Sequence, residues 1–342
     1  MKIRFLSLLL ITYAILMKDS FSVNAAEKEP SSVSESVAGV AESTGTDDFQ
    51  KQIIGIGMYK VVDGDNLWKI AEKLWGDGNR YPQLFSQNRD ILADSDAIQP
   101  GQNLAYFIEG ETEDHALTWE EEITEQVVRR ALIEIKQMDE DEQAQFMARP
   151  VMASDMEAIT DISFSRKNNA DTTYKPRLHF RVNEYEENVD LEVGQQYSYA
   201  DLVNFTALKE IYLSIDLPDY SFLSVMSRLE SININSGKKV ENLDFLRGRT
   251  NLRSLRLNHL GFHAVTEVSV LKNCTEIENL WLDTPKVTDF SFLKDCTKIR
   301  NFTFTGSAQP DLKWLPEAEY LHFGRVTYRR DEEGNLIGSR FS

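Results

Sequence analysis

Tyr59-Lys-Val-Val-Asp-Gly-Asp-Asn-Leu-Trp-Lys-Ile-Ala71 opens a stretch that closes with Ile98-Gln-Pro-Gly-Gln-Asn-Leu104. Tyr59, Val61 and Val62 are the aromatic and β-branched residues of a first strand. Gly64-Asp65-Asn66 makes a turn in which Asp65 or Asn66 can accept from the orphan N–H groups of a helix start. Leu67, Ile70, Ala71 and Leu74 then recur at helical spacing until Gly76 stops the run. A second helix starts near Tyr81-Pro82, with proline tolerated in its first turn, and carries Leu84, Phe85 and Asn88. Pro100-Gly101 turns the chain, and Leu104 begins a returning strand. Strand, helix, helix and strand follow one another in under about fifty residues, near the lower size limit for a domain without staples.

These residues resemble a LysM module. The likeness runs through Tyr59-Lys60-Val61, Gly64 to Trp68, Ile70-Ala71, Trp75 to Gly78, Asn88 and Ile98 to Leu104. It implies a small α+β fold of βααβ order. It also implies binding of an N-acetylglucosamine-containing glycan, usually bacterial peptidoglycan, in a shallow groove. The groove of such modules lies between the turn after the first strand and the loop after the second helix, here 63–67 and 90–93. The resemblance therefore implies glycan contacts from Gly64, Asp65, Asn66, Leu67, Asp90, Ile91 and Leu92. Trp68, Ile70, Leu84 and Asn88 read as residues that keep the fold. The closing strand departs from the family pattern: it runs Leu104-Ala-Tyr-Phe-Ile108 and does not end at Ile-Pro.

Composition narrows the partners. The 342 residues carry a formal net charge of -18, which disfavours a nucleic-acid backbone, since phosphate binding needs clustered Lys and Arg. Residues 1–26 read as a secretory signal: Lys2 and Arg4, then an apolar run from Phe5 to Met17, then small residues at Ala25-Ala26. The run is too short to span about 30 Å of hydrocarbon, so no membrane span is expected in the mature chain. Location outside the cell, on the cell wall, follows as an expectation. Residues 27–54, rich in Ser, Glu, Gly and Thr, read as a linker, and the LysM-like module occupies 55–110. Cys274 and Cys296 occupy matching phrases, Leu271-Lys-Asn-Cys and Leu293-Lys-Asp-Cys, and read as two buried thiols.

Residues 111–155 read as a helical cap. Thr118 is the expected N-cap of one helix with its apolar face on Ile123, Val127, Val128, Ala131 and Leu132. Asp139 to Glu142 starts a second. From 156 to 326 one phrase recurs: Leu208-Lys-Glu-Ile-Tyr-Leu213, Leu229-Glu-Ser-Ile-Asn-Ile234, Leu252-Arg-Ser-Leu-Arg-Leu257, Ile277-Glu-Asn-Leu-Trp-Leu282 and Ile299-Arg-Asn-Phe-Thr-Phe304. A weaker copy ends at Phe323, and a degenerate first copy is Ile159 to Phe164. The five clear copies start 21 to 25 residues apart, the period of a leucine-rich repeat. The phrase resembles the leucine-rich repeats of bacterial surface proteins of the internalin-like type, which implies an α/β solenoid with an N-terminal helical cap. A hairpin at about 177–193 reads as an insertion between the first copies. The tail, 327–342, reads as a further hairpin turning at Glu333-Gly334-Asn335.

Strand alternation sends the repeated aliphatic residues inward and the residue between them to the opposite face. That row is Tyr212, Asn233, Arg256, Trp281, Thr303 and His322, the expected binding surface for an unidentified protein partner. No catalytic signature, cofactor motif or metal set stands out: there is no Gly-x-Ser-x-Gly, phosphate loop, dinucleotide fingerprint or His-Glu-x-x-His. His259 and His263 lie four apart just after a strand, where that spacing does not bring two imidazoles together. The sequence thus reads as a non-catalytic, cell-envelope binding protein without cofactor or metal. The alternative is a cell-wall-remodelling enzyme with its catalytic region within 111–200, which would need two carboxylates at a defined separation.

Overall fold

The computed structural model describes residues 52–110, 114–167, 175–192, 195–217, 220–237, 240–258 and 262–340. The expected signal at 1–26, nearly all of the expected linker and His259 lie outside them. All described residues fall within one unit, Gln50–Ser342.

The first module pairs β1 (Gln52–Lys60) antiparallel with β2 (Asn103–Gly110). Strand β1 therefore begins before the expected boundary at 55. Between them lie α1 (Leu67–Trp75) and α2 (Tyr81–Ser86). Asn66 caps α1 by accepting from the Lys69 N–H at 2.8 Å, and Gly76 ends it at φ +69, a conformation that favours glycine. The helices cover one face of the sheet around Val61, Leu67, Ile70, Leu84, Leu92 and Leu104. Asn88 ties α2 to β2 with three bonds: its Nδ2 donates to the carbonyls of Leu84 and Ala105, and its Oδ1 accepts from the Ala105 N–H. Trp68, read as a residue that keeps the fold, is 48% exposed. Its indole lies across Gly78, where any Cβ would collide with the ring.

Two helices follow, α3 (Glu122–Ile135) and α4 (Glu140–Met147). The α3 start differs from expectation. Thr118 is not its cap; the helix begins at Glu122 with Glu121 at the N-cap position and no side-chain cap, and the carboxylate of Asp201 accepts from the Glu120 and Glu121 N–H groups just before it. The α4 start is as expected, with a reciprocal capping box between Asp139 and Glu142.

The rest of the chain builds one 11-stranded sheet. Its centre is parallel: β3 (Asp161–Lys167), β6 (Glu210–Ser214), β7 (Ser231–Ile234), β8 (Ser254–Leu257), β9 (Asn279–Leu282), β10 (Asn301–Phe304) and β11 (Tyr320–Phe323). The degenerate first copy is thus a full member, pairing directly with β6. The hairpin β4 (Arg177–Val182) and β5 (Tyr185–Asp190) does not interrupt the repeats; β4 pairs antiparallel with the far side of β3 and extends the sheet outward. At the other end β12 (Val326–Arg330) and β13 (Leu336–Arg340) form the expected tail hairpin, with Gly334 at φ +85 in its turn.

Each parallel strand returns through a short 3-10 turn on the opposite side, such as Ser221–Val225, Asp244–Leu246, Ser269–Asn273 and Ser291–Lys294. One repeat cannot bury its apolar side alone, but the stacked copies enclose a continuous core. Ile211, Leu213, Ile232, Ile234, Leu255, Leu257, Leu280 and Leu282 face it from the strands, and Leu223, Leu246, Leu271 and Leu293 face it from the turns. Cys274 and Cys296 are free and buried in this layer. Burial pushes the Cys274 thiol up to about 12, and Cys296 Sγ donates to the Leu271 carbonyl at 3.1 Å.

Candidate functional site

The two segments of the expected glycan groove are built differently. In the first, Gly64 stands at φ +80 with open space where a Cβ would be. Asp65 does not point outward: its carboxylate accepts from the Tyr59 hydroxyl at 2.9 Å, the Val62 N–H at 3.0 Å and Lys73 Nζ at 2.8 Å. Burial raises its pKa, but Lys73, the Val62 N–H and Tyr59 outweigh that and hold the carboxyl below its ordinary value. Leu67 is in the core. Gly64 and Asn66 are therefore what this turn exposes, with Asp65 fastening it from beneath.

In the second segment, Leu92 is core and Ile91 is 36% exposed. Asp90 is turned away from solvent and into the repeats. Its side chain is 2% exposed and pairs with Arg247 at 2.5 Å. Asn273 Nδ2 donates to it at 2.8 Å, and the Asp90 N–H donates to Asn273 Oδ1 at 3.3 Å. Burial raises the Asp90 carboxyl above its usual range despite the Asn273 bond and the Arg247 charge. Next to it, Arg89 pairs with Asp295. The Asp90 side chain is thus committed inside the chain, and it leaves Ile91 as the exposed side chain of this loop's three expected contacts.

These bonds belong to a wider junction. Alternation along the LysM strands sends Tyr59, Leu104 and Tyr106 toward the helices and Ile56, Ala105 and Phe107 to the other face. That other face rests on the 3-10 side of the repeats. A Cβ on Gly248 would touch Ile56 at 3.3 Å and Ala105 at 3.6 Å, and one on Gly55 would lie 3.9 Å from the Ser224 carbonyl. Gly248 itself stands at φ +77. Sequence reasoning missed this junction. Its one available signal was Gly248, a glycine just after a Phe-Leu pair, where backbone permits a close approach.

The row between the inward aliphatic residues, on the face that a leucine-rich-repeat solenoid turns concave, is aligned as expected. Tyr212, Asn233, Arg256, Trp281, Thr303 and His322 are direct partners across successive strands, spaced by about 5 Å per strand. Arg256 is exposed and Trp281 half-buried. The guanidinium lies over the indole, 5.0 Å from the ring centroid, an attraction of a positive charge to the ring quadrupole. The tail hairpin pairs with β11, two strands beyond Trp281. Tyr212 accepts from Asn235 Nδ2, and His322 Nδ1 bonds Thr327 at 2.9 Å. In the neighbouring row Asp283 accepts from the Thr305 hydroxyl at 2.6 Å and stands 3.4 Å from His263. No group of three His, Cys, Asp or Glu residues is placed to hold a metal ion among the described residues. Nor is any helix among them long and apolar enough to cross a membrane.

Residues 59–105 match the LysM domain family, and the module is a LysM domain. Among solved structures the chain is similar to internalin C2 of Listeria monocytogenes, at 16% identity and TM-score 0.38, covering 58% of this chain and 74% of that one. A second internalin of that organism, inlF, is 16% identical at TM-score 0.35, covering 58% of this chain and 62% of the other. A leucine-rich-repeat protein of Leptospira interrogans is 15% identical at TM-score 0.26, with 36% and 33% covered. No curated protein sequence matches the chain.

Proposed function

We propose that this is a non-catalytic binding protein of the cell envelope, secreted and held on the cell wall. Its LysM domain takes an N-acetylglucosamine-containing glycan, with peptidoglycan as the ligand. Its repeats present the concave row to a protein partner. The observation that carries this reading is the pairing of two free surfaces in one chain. The LysM domain keeps Gly64, Asn66 and Ile91 exposed at its groove. The repeats keep Arg256 and Trp281 stacked on the open face of the sheet, and Trp and Arg are residue types enriched at interface hot spots.

In this reading the groove works through backbone groups and small exposed side chains. Asp65, Leu67, Asp90 and Leu92 contribute by fixing its walls. The test is sedimentation of the full chain with insoluble peptidoglycan. Co-sedimentation without release of soluble glycan supports the reading. Release of soluble fragments would instead favour a wall-remodelling enzyme.

A further inference from the structure

The LysM domain and the repeats enclose a cleft of about 800 Å³. Ile56, Met58 and Ile91 line it from the LysM side, and Glu241, Asn242 and Phe245 line it from the repeats. Ile91 is the one residue of the two groove segments that also borders this cleft. The groove and the cleft are therefore continuous past a single side chain.

The lining is of a mixed kind. Met58 is 53% exposed, Ile91 36%, and Phe245 is partly open, packed at 5.5 Å against the buried Tyr220 ring. Beside these apolar surfaces stand the exposed amide groups of Asn103 and Asn242 and the carboxylate of Glu241. A pyranose ring has the same two characters. Its C–H faces are apolar and lie against aliphatic or aromatic side chains, while its hydroxyl and acetamido groups need donors and acceptors at the edge. The volume is in the range of sites that enclose small-molecule ligands, and the cleft is partly open to solvent, which leaves a way in for the end of a longer chain.

The two walls are also fixed relative to each other. Asp90 precedes Ile91 in sequence and is clamped by Arg247 and Asn273, so the cleft does not have to be assembled when a ligand arrives. Holding walls in their bound arrangement reduces the ordering cost of association.

We propose that the glycan site is composite: a chain of N-acetylated aminosugars held in the LysM groove continues past Ile91 into the cleft, where the repeats supply its second wall. This rests on the LysM reading above. It assigns to Glu241, Asn242 and Phe245 a role in recognising longer chains, separate from the concave row on the opposite side of the repeats.

The experiment is calorimetric titration of the full chain with chito-oligosaccharides from trimer to octamer, and in a second arm with glycan strands stripped of peptide from peptidoglycan. The variants are Asn242→Trp, which places bulk in the cleft from an exposed position, Glu241→Ala/Asn242→Ala, and Ile91→Asp. Thermal melts check that each stays folded. In the wild type, affinity should rise with chain length in at least one arm. Asn242→Trp should cut long-chain affinity about tenfold and leave the trimer unchanged, and the double alanine variant should lower it in the same direction. Ile91→Asp should weaken every length. A wild type whose affinity does not change with length, or an Asn242→Trp variant whose affinity rises with length as steeply as the wild type's, overturns the composite site and leaves the LysM reading standing. A wild type that binds no oligomer and no stripped strand overturns both.

Discussion

Asn273 donates its amide to Asp90 at 2.8 Å across 183 positions of sequence, joining a LysM loop to the 3-10 turn Ser269–Asn273 of the repeats. Arg247 completes the contact from the preceding turn. The LysM domain is thus not a bead on a string. Its outer sheet face and one groove loop are part of the repeat surface.

Removing Arg247 should show how firmly. Arg247→Ala leaves the Asp90 carboxylate buried without its cation, and losing one partner of a buried pair costs about 3 kcal/mol. Chemical denaturation of the full chain measures it. Asp90→Asn in the same chain should restore part of the loss, because the uncompensated charge goes with it. A midpoint that ignores Arg247→Ala would mean the pair carries no net weight.

Separating the modules should expose the same face. A fragment of residues 52–110 uncovers Ile56 and Ala105, which lie against Gly248 of the repeats in the full chain. Two domains joined only by a linker would each melt alone as they do in the full chain. The junction predicts instead that each fragment melts below the full chain and that mixing them raises both melts. Scanning calorimetry of the mixture against the separate pieces decides between these.

Trp281→Ala should be mild for stability. The ring is half-buried on the concave face and stacked on Arg256, so the change should remove about 1 kcal/mol. A core aromatic would cost about 3 to 5 kcal/mol. Urea melts of the variant distinguish these, and partner capture by the repeats should fall sharply in the same protein.

Acid should weaken the helical cap through Asp155. Burial alone would raise the Asp155 carboxyl, but Arg149, Lys136 and the Met152 N–H outweigh it and hold its pKa far below the ordinary value. A carboxylate with a depressed folded pKa stabilises the fold above its unfolded pKa, about 3.9, and that contribution fades as pH falls through the folded value. Asp155→Asn should lower stability at neutral pH and flatten the loss below about pH 4. Melts of wild type and variant from pH 7 to pH 2 read this directly. Parallel curves would show that Asp155 does not drive acid sensitivity.

Much of this was legible because periodic burial leaves a periodic sequence. The pairs Ile211 and Leu213, Leu255 and Leu257, and Leu280 and Leu282 mark inward positions two apart, and they fixed the register of the concave row in advance. The LysM elements were legible for a related reason, since Asn66 and Gly76 are local signals of a helix's start and end. What was not legible is every partnership made at long range by a polar side chain. Asp201 holds the Glu120 and Glu121 N–H groups just before α3 from about eighty positions away. Asp90 reads as an ordinary loop acid until Arg247 and Asn273 stand opposite it. The hairpin at 177–190 shows the same limit: alternation revealed its strands, but only pairing with β3 set them outside the stack.

The two hairpins also decide where the sheet ends. A parallel stack of near-identical strands offers each terminal strand to the next molecule as a template, and such exposed edges invite end-to-end growth. Here the outermost strand at each end runs in a hairpin, β5 beyond β4 and β13 beyond β12, out of step with the repeat. Strand β5 places Glu186, Asn188 and Asp190 at one rim, and β13 places exposed Gly338 and Ser339 at the other. Neither rim reproduces the Leu-x-Leu phrase that another copy could extend. Each end of the described stack is in this way closed to a further copy of the repeat.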